Sequence, residues 1–271
     1  MTLKEAESIL SEAGIEEARH EARIIFAAVG GEPIYKLLSP CYTSESKDIE
    51  AAVYRRAKRE PLAYIIGWVD FYNERYKVTP DVLIPRPDTE VLVDYAVNNI
   101  PKGECFIDLC TGSCCVAIST LSNTEDTRAL AVDISEKALA VAKENAEFMN
   151  VSSRIEFLEA DVTKSAVSNG VFAVLSNPPY VSESAYRELE PEIFKEPEIA
   201  FLGGEDGGDF YRVLTPLYRD IIKDDGFIAY EIGYDQADLI AKIASENMMR
   251  CSILRDLSGN TRVAVLRKII A

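Results

Sequence analysis

The 271-residue sequence predicts an α/β protein in two parts: a small helical bundle, then a mostly parallel sheet with crossover helices. Three observations carry this reading. Apolar residues near the N-terminus recur at helical spacing, short apolar runs alternate with helical stretches beyond residue 100, and the acidic residues are shared unevenly between the two parts. Ala18, Ala22, Ile25, Phe26 and Val29 fall on one stripe of a helix. A second helix is expected over residues 47–59, with Ile49, Val53 and Ala57 inward and Arg55, Arg56, Lys58 and Arg59 forming a basic patch on the other side. Residues 64–78 mix aromatic and β-branched side chains around Gly67 and Asn73, which predicts a β-hairpin. Pro80, Pro85 and Pro87 then punctuate the chain, and Asp88 or Thr89 is placed to cap a helix through Val91, Leu92 and Ala96.

Apolar runs at 105–109, 129–132, 171–175 and 227–230 read as strands, separated by helices at about 115–121, 136–148 and 210–222. The tail reads as a helix at 237–245 and strands near 252–254 and 263–266, too close together to be anything but antiparallel. With 48% hydrophobic and 27% charged residues, the composition is that of an ordinary globular protein, which excludes disorder, collagen and coiled coil. The net charge is −16, of which residues 1–80 carry −2 and residues 81–271 carry −14. Such a field repels a phosphate backbone, so non-specific nucleic-acid binding is disfavoured. No run of about 18 apolar residues appears, and Met1-Thr2-Leu3-Lys4-Glu5 is too polar for a secretory signal. A cytoplasmic protein with no membrane partner is expected.

Of the cysteines Cys41, Cys105, Cys110, Cys114, Cys115 and Cys251, four lie within residues 105–115. Their spacing lacks the paired hooks of a zinc site, and the single histidine, His20, sits far off among charged neighbours on what reads as a solvated helix face. The cluster reads as packing around a strand and the turn after it, with no metal expected.

Two segments carry chemistry. Phe106-Ile107-Asp108-Leu109-Cys110-Thr111-Gly112-Ser113 is a strand ending in a tight turn that opens a helix, where a ligand approaches the backbone closely. Asp133 ends the next strand, placed to accept both hydroxyls of a ribose. Together they describe an adenosine-containing cofactor, either a dinucleotide or S-adenosylmethionine. Only Gly112 remains of a G-x-G-x-x-G pattern, and S-adenosylmethionine, lacking phosphate, tolerates that loss. Asn177-Pro178-Pro179-Tyr180 follows another apolar strand and faces the same crevice. Its prolines hold Asn177 extended, leaving the Asn177 side-chain carbonyl and the Pro178 backbone carbonyl as two acceptors beside the Tyr180 ring. That suits a planar NH2 group.

At these residues the sequence resembles the S-adenosylmethionine-dependent methyltransferases bearing N-P-P-Y, and more narrowly the peptide chain release factor glutamine methyltransferases, the PrmC/HemK family. The narrower likeness rests on 60–67 (E-P-L-A-Y-I-I-G), 83–90 (L-I-P-R-P-D-T-E), Glu231-Ile232-Gly233 with Gln236, and 256–263 (D-L-S-G-N-T-R-V), and covers nearly the whole chain. It implies a helical substrate-recognition domain over 1–63, a β-hairpin linker over 64–82, and a Rossmann-like class I methyltransferase domain over 83–271 with a seven-stranded sheet whose last strand is antiparallel. It implies S-adenosylmethionine as cofactor, S-adenosylhomocysteine as product, and class I peptide chain release factors as protein substrate, methylated on the glutamine amide of their Gly-Gly-Gln motif. No direct nucleic-acid partner follows from it. Carried onto this chain, the cofactor residues are Asp108, Cys110, Thr111, Gly112, Ser113, Cys114, Asp133, Asp161, Val162 and Asn177, and the catalytic residues are Asn177, Pro178, Pro179 and Tyr180. The family turn is D-L-G-T-G-S-G, so Cys110 and Cys114 stand where glycines are usual. Two other readings remain: methylation of an exocyclic amine of DNA or RNA, which the acidic second part opposes, and a non-enzymatic binding module whose pocket the two cysteines have closed.

Overall fold

The computed structural model describes residues 1–39, 42–168 and 170–270. Its backbone falls into two units, residues 1–68 with 190–195 and residues 69–189 with 196 onward. In the first, helix α1 (Leu3–Glu12) starts at a capping box in which Thr2 accepts from the Glu5 N–H and Glu5 reaches back to the Thr2 N–H. Helices α2 (Ala18–Ala28), α3 (Lys47–Ala57) and α4 (Leu62–Ile66) complete the unit. Leu3, Leu10, Ile25, Phe26, Ile49 and Val53 close its apolar core. His20 is exposed, and Cys41 lies outside the described residues.

Two expectations change here. Residues 64–66 are the end of α4 rather than hairpin, because Pro61 starts a helical turn and Gly67, at φ +85°, stops it. The basic patch on α3 is also not a free surface. Arg56 is buried, donating to Glu21 at 2.5 Å and to Glu192 at 2.8 Å. Arg59 pairs with Glu192 at 2.8 Å, and Arg55 pairs with Glu60. Glu192 is remote in sequence, so no local charge pattern reveals its pairing. Among the described residues, Lys58 alone of the four is exposed without an ion pair.

The second unit opens with a hairpin of β1 (Trp68–Phe71) and β2 (Glu74–Lys77). Its two turn residues, Tyr72 and Asn73, both take positive φ, as the twist of a two-residue hairpin requires. Helix α5 (Glu90–Asn99) then leads into alternating strands and helices: β3 (Cys105–Leu109), α6 (Cys115–Ser122), β4 (Arg128–Asp133), α7 (Glu136–Phe148), β5 (Ile155–Glu159) and β6 (Val171–Ser176). A short helix α8 (Glu183–Tyr186), α9 (Asp209–Arg219), β7 (Ile222–Glu231), α10 (Ala237–Glu246), β8 (Met249–Arg255) and β9 (Thr261–Lys268) follow. The strands form one seven-stranded sheet, ordered β5-β4-β3-β6-β7-β9-β8. All pair in parallel except β9, which runs antiparallel to both β7 and β8. Strand β6 is buried along its whole length, the pattern of a parallel strand covered on both faces. Leu92, Ile118 and Ala142 cover one face, and Tyr211, Leu214, Ile240 and Ile243 the other.

Strand β5 escaped the apolar-run reading because it is an edge strand with only Ile155 buried. Helix α9 stops at Arg219, and Ile222 already belongs to β7. Cys105 is exposed, so the cysteine-packing expectation holds for Cys114 and Cys115 but not for it. No described helix is long and apolar enough to cross a membrane, and no group of potential metal ligands occurs among the described residues.

Removing a buried cation strands its carboxylates, at a cost of about 3 kcal/mol. Arg56→Ala is therefore expected to destabilise the helical unit by that order, read as a lower urea midpoint, whereas Lys58→Ala is near neutral.

Candidate active site

The order of strands places β3 and β6 side by side while their onward connections run to opposite sides of the sheet, and ligands bind at such a switch point. Leu109 and Ser176 are in register at the two strand ends, and the Ser176 hydroxyl donates to the Leu109 carbonyl at 2.8 Å. The next residues are Cys110 and Asn177. A cavity of about 260 Å³ opens there, walled by Leu83, Cys110, Asp133, Asp161, Val162 and Asn177. A smaller one of about 40 Å³, reaching Asp108, Thr111 and Ser113, shares Cys110, Gly112 and Asn177 with it.

The turn between β3 and α6 is held by carboxylates. Asp108 is fully buried, and its Oδ2 accepts from the Thr111 hydroxyl at 2.6 Å and the Ala117 N–H at 3.2 Å. Its Oδ1 has no partner. Burial, added to by the charge of Asp133 and opposed by those two donors, pushes this carboxyl up to about 7. Asp133 accepts from the Gly112 N–H and the Ser135 N–H, both at 2.9 Å; burial raises its pKa against those bonds. Thus the ribose-binding candidate also pins the turn to the end of β4. Asp161 is bonded to Thr163 and paired with Lys164, which hold its carboxyl below the usual range.

Cys110, Gly112 and Cys114 take φ of +57°, +54° and +68°. The two cysteines therefore adopt the glycine conformation with a Cβ in place, at a cost of about 1–2 kcal/mol each. Their side chains part company. Cys110 lines the cavity, while Cys114 is wholly buried in the apolar cluster and lines neither cavity.

Asn177 donates through Nδ2 to the Thr89 hydroxyl at 3.2 Å, and Pro179 lines the cavity beside it. Pro178 and Tyr180 are absent from the walls of both cavities. Instead of standing open to a ligand, the Tyr180 hydroxyl donates to Glu231 at 3.1 Å, and its carbonyl accepts from Gln236 Nε2 at 3.0 Å. Gln236 also donates to the Gly207 carbonyl and accepts from the Gly233 N–H. Gly207 is required at this spot: at φ +76°, a Cβ there would lie 2.2 Å from the Tyr180 carbonyl.

Thr89, expected as a helix cap, makes no capping bond, and Asp88 pairs with Arg262 at 2.9 Å. Nearly every polar group of segment 83–90 is spent on fastening. The Ile84 N–H and the Arg86 guanidinium bind the buried Glu196, and Glu90 accepts from the Tyr72 N–H. Sequence reasoning missed Glu196, whose partners lie 110 and more residues away. It also missed Asn145, which clamps both the Lys77 backbone and the Ser113 carbonyl.

Such a sheet, with an acid-lined cavity at its switch point and Asn177 and Pro179 of N-P-P-Y on its wall, defines a methyltransferase-type α/β domain. The comparisons agree. Residues 2–67 match the PrmC N-terminal domain and residues 87–213 the methyltransferase small domain. The chain is 34% identical over 268 residues to the release factor glutamine methyltransferase of Caulobacter vibrioides, covering 96% of this chain and 93% of that one. With that of Cereibacter sphaeroides it shares 35% identity, covering 98% and 96%. Among solved structures, the hMettl16 catalytic domain superposes with a TM-score of 0.59 at 13% identity, covering 83% of each chain, a likeness of fold alone. The chain belongs to the release factor glutamine methyltransferase family.

A left-handed residue accepts glycine and resists β-branching. Cys110→Gly is expected to leave thermal stability unchanged or raise it slightly, while Cys110→Val lowers it by about 2 kcal/mol; thermal unfolding of the two variants checks both.

Proposed function

We propose that this chain transfers the methyl group of S-adenosylmethionine to the side-chain amide nitrogen of the glutamine in the Gly-Gly-Gln motif of class I peptide chain release factors. The observation that carries the reading is Asn177, fixed through Thr89 on the cavity wall within a chain that matches this family end to end. The residues present fit the cofactor. Asp108 Oδ1, buried and unpartnered at the smaller cavity, suits an ammonium group, and Asp133 and Asp161 suit hydroxyls. Val162, Leu83 and Ile134 offer apolar walls to a flat base. When bound, S-adenosylmethionine supplies an electrophilic methyl on a sulfonium centre.

An amide nitrogen is a poor nucleophile because its lone pair is delocalised into the carbonyl. In this reading Asn177 Oδ1 and the Pro178 carbonyl accept the two amide hydrogens. They hold the nitrogen in line with the methyl group and favour the positive charge that grows on it as the new N–C bond forms. The alkylated amide is strongly acidic and gives one proton to water, so no side chain need act as general base. Cys110 and Gly112 shape the wall against the methionine part, and Thr111 and Ser113 hold the turn. Pro179 stiffens the Asn177 backbone, and Tyr180 anchors the loop from behind. Residues 1–63 engage the body of the release factor.

The assay uses purified release factor and labelled cofactor, with tRNA and DNA as alternative acceptors; labelling of nucleic acid instead of protein overturns the proposal. Asp133→Ala is expected to raise the Kd for S-adenosylmethionine about tenfold or more with kcat at saturation little changed. Asn177→Ala is expected to change that Kd much less than Asp133→Ala does and mainly to lower kcat, by about two orders of magnitude.

A second expectation follows from Asp108. Its carboxyl titrates at about 7 in the free protein, and a bound ammonium favours the ionised form. Cofactor affinity should therefore be weak below pH 7, rise with pH by up to about tenfold per unit, and level off above it. Calorimetric titration from pH 6 to 8 measures this, and Asp108→Asn should flatten the profile.

A further inference from the structure

The walls of the larger cavity are held in two different ways. Cys110 and Asn177 follow directly on strand ends and Asp133 closes β4, so the sheet ladder fixes all three. Val82 and Leu83 from one loop, and Pro197, Ile199 and Ala200 from another, lie outside every described strand and α-helix, and no ladder sets their separation. The two loops differ in firmness. Val82 and Ile84 are buried, whereas Ile199 is 59% exposed and Pro197 and Ala200 are only half-buried. A segment with so little buried surface keeps its place through polar fastenings at its ends. The far end has one where the Phe201 carbonyl accepts from the Val181 N–H at 2.8 Å.

Glu196 fastens the near end. Its side chain is 1% exposed; Oε2 accepts from the Ile84 N–H at 3.0 Å, and Oε1 accepts from the Arg86 guanidinium. Both loops belong to the second unit. Prolines stiffen each side of this joint. Pro87 follows Arg86, which is extended at φ −107° and ψ 144°, and Pro85 restricts Ile84 in the same way. Pro197 sets the direction of the backbone that leaves Glu196 toward Ile199. Resting on the assignment of this cavity to S-adenosylmethionine, we propose that Glu196 is a positioning residue for the cofactor: its two oxygens lock the loop at 80–86 to the loop at 196–200, hold these two walls at a fixed separation, and make opening of that joint the step through which the cofactor leaves.

Such a lock needs both oxygens. A carboxylate that met Ile84 alone would fasten one backbone point and leave the loop free to pivot; the guanidinium, taking the other oxygen from two residues further on, removes that freedom. Separating the joint strands a buried carboxylate and a buried N–H unless both loops move out to water together, so independent excursions of either loop are costly. Leu83 borders both cavities and Arg86 the smaller one, so the segment that Glu196 holds is shared between them.

In the full-length protein, a chase of labelled S-adenosylmethionine with excess unlabelled cofactor measures its exit. Glu196→Ala is expected to raise the exit rate about tenfold, and to raise the KM for the cofactor while changing kcat far less. Glu196→Gln keeps an acceptor for the Ile84 N–H but turns an NH2 toward Arg86, and should fall between the native protein and Glu196→Ala. Amide hydrogen exchange reads the joint without any ligand: in Glu196→Ala, residues 82–84 and 198–202 should exchange faster together, with β3 and β6 as protected as in the native protein. A melting temperature that falls while the exit rate stays at its native value makes Glu196 a stabilising residue only and overturns the proposal. So does exchange that quickens in one loop and not the other. Should Glu196→Ala fail to fold, Glu196→Gln decides by the same two readouts. A native protein that binds no S-adenosylmethionine overturns the assignment of the cavity and the cofactor role with it, while the exchange arm still decides whether Glu196 joins the two walls.

Discussion

The site depends on one fact of chain routing. From β3 the chain moves outward to β4 and β5, and from β6 it moves the other way to β7, so two adjacent strands end with their connections diverging. The carboxyl ends of β3 and β6 are therefore uncovered, and the residues just beyond them, Cys110 and Asn177, border the opening from either side. Asp133 arrives there because β4 pairs with β3 one strand further out. The bond from Ser176 to the Leu109 carbonyl fixes the two strand ends together, so the width of the crevice is set by the sheet rather than by its loops.

Four of the carboxylates in this region, Asp133, Glu196, Asp108 and Glu231, are used in two ways. Asp133 and Glu196 are met by backbone N–H groups, and their work is to hold the turn after β3 and the segment around Ile84. Asp108 and Glu231 each keep one buried oxygen without a partner, and burial brings both to about 7. A native interior seldom leaves such oxygens bare, because each costs about 1–3 kcal/mol. Of the two, Asp108 borders the smaller cavity, as a group kept for a ligand would, while Glu231 lies behind N-P-P-Y and lines neither cavity.

Much of this was legible in the sequence, for reasons that can be named. Continuous apolar runs gave β3, β4 and β6 because a parallel strand covered on both faces must be apolar throughout. The edge strand β5 lacks that signature, and its Ile-Glu-Phe-Leu-Glu pattern is weak by comparison. The chemistry-bearing segments were found because prolines and turn residues constrain the backbone locally. What stayed hidden is tertiary: Arg56 looked like a surface cation until Glu192, 136 residues away, neutralised it, and Thr89 looked like a cap until Asn177 claimed its hydroxyl. Polar residues serve several partners with equal ease, so their partners follow from the fold and not from their spacing.

The two cysteines in the turn show how far local preference can be overridden. Positive φ at residues 110, 112 and 114 alternates with Thr111 and Ser113, which lie outside the left-handed region, and the Thr111, Gly112 and Cys114 N–H groups donate to the Val132 carbonyl, Asp133 and the Thr111 carbonyl. Those N–H groups belong to the backbone, so they survive replacement of glycine by cysteine. The bonds that impose the conformation come from outside the preference of residues 110 and 114: Asp108 to Thr111 and Ala117, Asp133 to Gly112, and Thr111 to the Val132 carbonyl. Anchored at so many points, the turn keeps its shape and bears the left-handed cysteines as strain. Of the two sulfurs only that of Cys110 reaches the cavity, so the chain's departure from the family turn changes one patch of wall and leaves the donors and acceptors around it as they would be with glycine.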